Sequence, residues 1–156
     1  MTATSETDYS SLVGREFPGG RCAIEDYKAW LMADALGDDP YDPTPHPVLA
    51  WMTSVAGMGL SWDELFAWFG ATAADGPMFG EHRTVFHGEL TCDDYQVTGR
   101  ITSVDRKSGR RAGVFDIVGY ELELRRGGDE GGATGGTGEL VATCWNSLIL
   151  PRGGAA

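Results

Sequence analysis

Cysteine is scarce in this chain, and what there is forms no pattern. Cys22, Cys92 and Cys144 are odd in number with no CxxC spacing, so neither a disulfide framework nor a zinc site is indicated. Reduced thiols suit a cytoplasmic protein. Residues 1–10 (MTATSETDYS) also lack the basic-then-apolar layout of a signal peptide. We therefore expect a cytoplasmic chain with a loose, disordered tail over 1–10. Positive charge is scarce too, with 12 Lys and Arg against 23 Asp and Glu and a net charge of −11. Nucleic acid and anionic membrane surfaces both require a basic footprint, so neither is an expected partner. No internal repeat is present.

Long apolar runs are also rare, which makes the exception informative. Pro47 to Leu60 (PVLAWMTSVAGMGL) carries no charge, and only Thr53 and Ser54 offer hydrogen-bonding side chains. At about 14 residues it is too short for a bilayer, which needs roughly 20. A helix that is apolar nearly all round is buried all round. The chain of 156 residues is one domain, so the strand-rich second half is the material available to wrap this helix.

Elsewhere the elements follow from local pattern. Leu12–Phe17 and Arg21–Ile24 could form a short leading strand broken by Pro18, Gly19 and Gly20. A helix is expected from Glu25 to Leu36, with Tyr27, Trp30, Leu31 and Ala35 on its apolar face and Gly37 as its stop. Four prolines between Pro40 and Pro47 then enforce a stiff extended loop. Trp62–Phe69 reads as an amphipathic helix capped by Ser61, and Gly70–Gly80 as a loop. Period-2 alternation marks strands over His82–Leu90, Tyr95–Val104, Gly113–Leu124 and Glu139–Leu150. The links read as hairpins at Cys92–Asp94, at Arg106–Arg111, and at a mobile glycine-rich tip over 127–138. The expected fold class is α+β, one domain over 11–151: a curved antiparallel sheet wrapped around a long buried helix.

Several stretches together resemble the MaoC-like hydratases and dehydratases of the hot-dog fold. They are Leu12-Val13-Gly14-Arg15-Glu16-Phe17, Ala35-Leu36-Gly37-Asp38-Asp39, Phe86-His87-Gly88-Glu89-Leu90 and Gly138-Glu139-Leu140-Val141-Ala142-Thr143. The likeness covers about residues 11–151. It is nearest to the N-terminal or non-catalytic half-domains of paired-subunit (3R)-hydroxyacyl-thioester dehydratases. The resemblance implies a dimer of hot-dog folds with a thioester channel at the interface. The substrate would be an acyl group on coenzyme A or a carrier protein, and the reaction addition or loss of water across Cα–Cβ. It implies no cofactor and no metal; coenzyme A or phosphopantetheine enters as part of the substrate. Active members use an Asp and a His five residues apart in a G-D-x-N-P-x-H motif. Backbone amides at the start of the buried helix polarise the thioester carbonyl, as helix N-termini can.

The present chain departs from that motif. Asp38 matches the catalytic Asp, but Pro43 stands where the His belongs and Pro40 replaces the Asn. The segment before the buried helix is about half its usual length. His46, beside Pro47, is the candidate replacement, with Asp38 or Asp42 as its partner; the plain alternative is a loop histidine fixed by prolines. Pro47 and Val48 begin the buried helix and are candidate substrate contacts. His87, and after it His82, are further candidates from the sheet, although a strand histidine is more often packed or solvated. Arg106, Lys107 and Arg110 belong to a basic turn able to grip phosphates, or simply to a solvated hairpin tip. Trp51, Trp62 and Trp68 read as core or interface aromatics. Three functions compete: a hydratase/dehydratase, a non-catalytic hot-dog partner that shapes the acyl channel, and, more weakly, a hot-dog thioesterase.

Overall fold

A computed structural model describes residues 7–127 and 138–152. Five strands form its sheet: β1 (Gly20–Ala23), β2 (Met78–Phe86), β3 (Asp94–Gly109), β4 (Gly113–Arg126) and β5 (Glu139–Pro151). They are antiparallel throughout, in the order β1-β3-β4-β5-β2. Three α-helices accompany the curved sheet: α1 (Asp26–Leu36), α2 (Val48–Ala56) and α3 (Trp62–Trp68). The expected α+β architecture is present.

Alternation places the core. Tyr95, Val97 and Ile101 of β3, Val118, Tyr120, Leu122 and Leu124 of β4, and Ala142, Cys144, Leu148 and Leu150 of β5 are all buried. A period of two puts each of these rows on the face that packs against α2. Glu121 and Glu123 alternate onto the other face, as the sequence pattern requires. Gly57, just past α2, sits so close to the sheet that a Cβ there would lie 2.5 Å from Val97 Cγ2. Gly37 ends α1 in the left-handed conformation at φ 71°, its amide and that of Asp38 bonding back into the helix. Ser61 caps α3 through a capping box with Glu64.

Five expectations need correction. The central helix is Val48–Ala56, shorter than 47–60, because Gly57 and Gly59 end it. It is not enclosed: Leu49, Ala50, Thr53 and Ser54 are buried, but Met52 is 41% exposed and Trp51 and Val55 are half-buried. One sheet covers one side of a helix, and a single chain has no second layer for the other. On α1, Tyr27, Trp30 and Leu31 are exposed rather than packed. The strand expected at His82–Leu90 is Met78–Phe86, and it is not joined to β3 as a hairpin. It pairs instead with β5, at the opposite side of the sheet. Finally, β3 runs through Arg106 and Lys107 to Gly109, so the turn is confined to Arg110–Ala112.

At the chain start, Glu16 makes one isolated bridge to Arg100 and the leading strand itself is only Gly20–Ala23. Residues 1–6 of the expected tail and most of the expected mobile tip (128–137) lie outside the described residues. Within the described part of the tail, the Tyr9 ring packs on Phe69 and beneath the Arg152 guanidinium.

Candidate functional site

The loop before α2 has its geometry set by its own side chains. Asp38 Oδ1 accepts from the Asp39 amide at 2.9 Å and Asp42 Oδ1 from the Thr44 amide at 2.8 Å. Both are local turns of the kind short acidic side chains make. His46 is half-buried, and its Nδ1 accepts from the Val48 amide at 3.2 Å. Only an unprotonated Nδ1 can accept, so the neutral ring carries its proton on Nε2. The Leu49 amide bonds to the His46 carbonyl and the Ala50 amide to that of Pro47. Pro47 has no N–H, so the first amides of α2 are all engaged within the chain. His46, Pro47 and Val48 thus come together, with the imidazole seated on the helix start.

The remaining sequence candidates lie apart from it. His87 Nε2 pairs with Thr143 Oγ1 at 2.9 Å. Thr143 alternates with the inward Ala142 and Cys144, which puts His87 on the face turned away from α2. Arg106 makes two hydrogen bonds to Asp116, at 2.8 and 3.0 Å, and a third to the Thr7 carbonyl. Asp116 is 1% exposed and also takes Arg152 Nε at 2.7 Å. Burial alone would raise the Asp116 pKa, but the hydrogen bonds and charges of the two guanidiniums outweigh it and the net shift is downward. Lys107 and Arg110 are exposed near the end of the β3–β4 hairpin.

A second polar cluster lies where β2 meets α2, and sequence reading missed most of it. Asn146 of β5 is fully buried. Its Nδ2 donates to the Cys144 carbonyl at 3.2 Å, and its Oδ1 accepts from Trp51 Nε1 at 2.9 Å and pairs with His82 Nδ1 at 2.8 Å. His82 Nε2 meets Thr84 Oγ1 at 2.7 Å, and Thr84 Oγ1 lies 3.6 Å from the Cys144 sulfur. The available signal was Asn146 itself, one amide in an otherwise inward row of Ala142, Cys144, Leu148 and Leu150. Aromatic contacts run outward from the cluster. Trp51 packs against His82 and Phe79, and Phe79 against Trp62. Beyond them is an apolar cavity of about 270 Å³ lined by Trp62, Phe66, Met78, Phe79 and Leu148.

Desolvation raises the pKa of Cys22, Cys92 and Cys144 alike. A thiol held protonated is a poor nucleophile. Among the described residues no three His, Cys, Asp or Glu side chains converge as a metal-binding group. None of the described helices is long and apolar enough to cross a membrane.

No protein-family model matches the sequence, and no curated protein matches it either. Solved structures do match. A chain of the ChsH1–ChsH2 complex from Mycobacterium tuberculosis aligns with a TM-score of 0.65 at 11% identity, covering 93% of this chain and 89% of that one. The monoamine oxidase regulatory protein from Archaeoglobus fulgius aligns with a TM-score of 0.60 at 13% identity, covering 90% and 91%. A MaoC-like dehydratase from Rhodospirillum rubrum gives 0.49 at 16% identity, covering 90% and 93%. The first two matches span nearly the whole sheet and its helices. This chain has the hot-dog fold, a curved antiparallel sheet packed on a central helix.

Proposed function

We propose that this chain is a subunit of a MaoC-like hydratase/dehydratase that adds water to, or removes it from, an enoyl- or 3-hydroxyacyl thioester. The acyl group is carried on coenzyme A or a carrier protein, and the chain works as a pair with a second hot-dog subunit. The observation that carries this reading is the apolar cavity between α3 and β2. It has the lining an acyl chain needs, and it lies beside an unpaired sheet edge. That edge bears exposed Met78, Phe79, Val85 and Phe86, and the uncovered side of α2 adds Met52. An exposed apolar edge strand is normally protected or paired. A second hot-dog chain, as in the complex named above, would complete both the sheet and the channel. Lys107, Arg110 and Arg111, exposed at the β3–β4 hairpin, supply cations for the phosphates of coenzyme A or phosphopantetheine.

A second reading, that the chain shapes the channel while its partner carries the chemistry, is favoured by one observation. Pro43 replaces the family's histidine, and the His46 ring occupies the Val48 amide that would otherwise face a thioester oxygen. The test is a solution mass of the chain alone and with a hot-dog protein encoded next to it, followed by an enoyl-CoA hydration assay on each sample. Turnover by the chain alone supports the catalytic reading, with His46→Ala as the next variant. Turnover only in the mixture supports the channel-shaping reading. No turnover in either sample, with free thiol released from acyl-CoA, replaces both with a thioesterase.

A further inference from the structure

We infer that His82, oriented by Asn146, is a catalytic acid–base residue of this chain, placed on the edge strand β2 rather than in the loop before α2; this rests on the hydratase/dehydratase reading above. The first support is a fixed tautomer. Asn146 Nδ2 is committed to the Cys144 carbonyl, so Oδ1 is the amide's acceptor. Trp51 Nε1 can only donate, and it donates to that same oxygen. His82 Nδ1 must therefore carry a proton, and in the neutral ring Nε2 presents its lone pair. The second support is what Nε2 faces. Thr84 Oγ1 lies 2.7 Å away and donates to it, which makes a hydroxyl, a base and an orienting group in series.

The third support is location. His82 is an exposed residue, although it projects from the side of β2 that looks towards α2. It stands at the end of the aromatic chain Trp62–Phe79–Trp51 that begins at the apolar cavity. An acyl chain in that cavity would bring its thioester end towards the imidazole. Asn146 is itself unusual for the middle of a sheet core, where an unbonded amide is costly and an apolar residue packs as well. Its bonds serve to hold an accessible imidazole and an indole in one geometry, which makes Asn146 a positioning residue.

In hydration, a water takes the place of the Thr84 hydroxyl at Nε2, within the reach a general base needs. Its oxygen bonds to Cβ while its proton passes to Nε2. The π pair of Cα=Cβ moves onto Cα, stabilised by the thioester carbonyl, and the imidazolium then returns the proton to Cα. One water has been added and His82 is neutral again; dehydration is the reverse.

The test uses the full chain, with its companion where activity requires one. Octanoyl-CoA, which has no Cα=Cβ bond to hydrate, is titrated in while the His46, His82 and His87 ring resonances are followed; turnover is read with trans-2-octenoyl-CoA. The expected results are the Nδ1–H tautomer at His82, a ligand-induced shift at His82 and not at His87, and His82→Gln folded with kcat down at least 100-fold and KM little changed. Asn146→Leu should lose the tautomer signature together with kcat, and Asn146→Asp, which keeps an acceptor in place, should restore both. Turnover in wild type with kcat within threefold in His82→Gln overturns this inference alone and leaves a structural staple between β2 and α2. Binding of octanoyl-CoA that leaves the His82 resonances unmoved does the same. Absence of both turnover and binding overturns the inference together with the reading beneath it.

Discussion

Replacing Asp116 by Ala is the sharpest test of how this fold is closed. Asp116 is 1% exposed and accepts from Arg106 at 2.8 and 3.0 Å and from Arg152 at 2.7 Å. Arg152, whose side chain is only 13% exposed, also bonds the Phe69 carbonyl at 2.6 Å and covers the Tyr9 ring. The carboxylate therefore ties together the chain start, the end of α3, β4 and the end of β5. Deleting it leaves a guanidinium buried without its counter-charge, a change worth about 3–5 kcal/mol. For a chain of this size each kcal/mol moves Tm by about 2–4 °C, so a fall of about 6–20 °C is expected. Arg106→Ala should lose only about 1 kcal/mol, because that side chain is 30% exposed and Asp116 keeps Arg152. Circular dichroism melts and urea titrations with unchanged slope measure both. The pH dependence has a definite sign. The native carboxyl titrates below the ordinary aspartate value of 3.8, so its contribution is fully present above the unfolded value and disappears as pH falls through the native one. Asp116→Asn should remove that acid limb. A loss near 1 kcal/mol for Asp116→Ala, equal to that of Arg106→Ala, would refute the buried-pair argument.

Two further predictions concern packing and assembly. Gly57→Val places a Cβ 2.5 Å from Val97 Cγ2 and 3.3 Å from Cys22 Cβ. It should cost about 1–3 kcal/mol by overpacking, read as a lower urea midpoint; an unchanged midpoint would mean that α2 is not seated on the sheet as described. Val85→Lys, at an edge-strand residue 46% exposed, should leave the chain folded by circular dichroism, since the residue is not part of the core. It should also lower the solution mass towards that of one chain, because an edge lysine opposes strand pairing. A full-mass assembly carrying that lysine would place the subunit interface elsewhere.

Local patterns in the sequence carried the helices, the long strands and the burial rows of β3 and β4, but not the apolar face expected on α1. The alternation Val118, Tyr120, Leu122, Leu124 against Glu121 and Glu123 leaves one inward face. Gly37 needs positive φ to stop α1, and Ser61 with Glu64 caps α3; each is set by neighbours within a few residues. The likeness to MaoC-like chains added the overall arrangement that the structure displays. Strand pairing was different. Cys92–Asp94 looked like a hairpin turn, yet β2 crosses to β5, because no local signal records which remote strand offers an unpaired edge. The expected fully enclosed helix shared that fault: apolarity on all sides demands cover, but only the tertiary structure shows that the sheet covers one side of α2 and leaves Met52 out. The same holds for the site. His46 was legible beside Pro47, but its bond to the Val48 amide was not. His82, Asn146 and Trp51 stand at positions 82, 146 and 51 in three different elements. Period alone determines which residues of β3 and β4 share the inward row; only the closing of the chain, through hydrogen bonds spanning 95 residues between Trp51 and Asn146 and 64 between His82 and Asn146, decides which polar groups meet there.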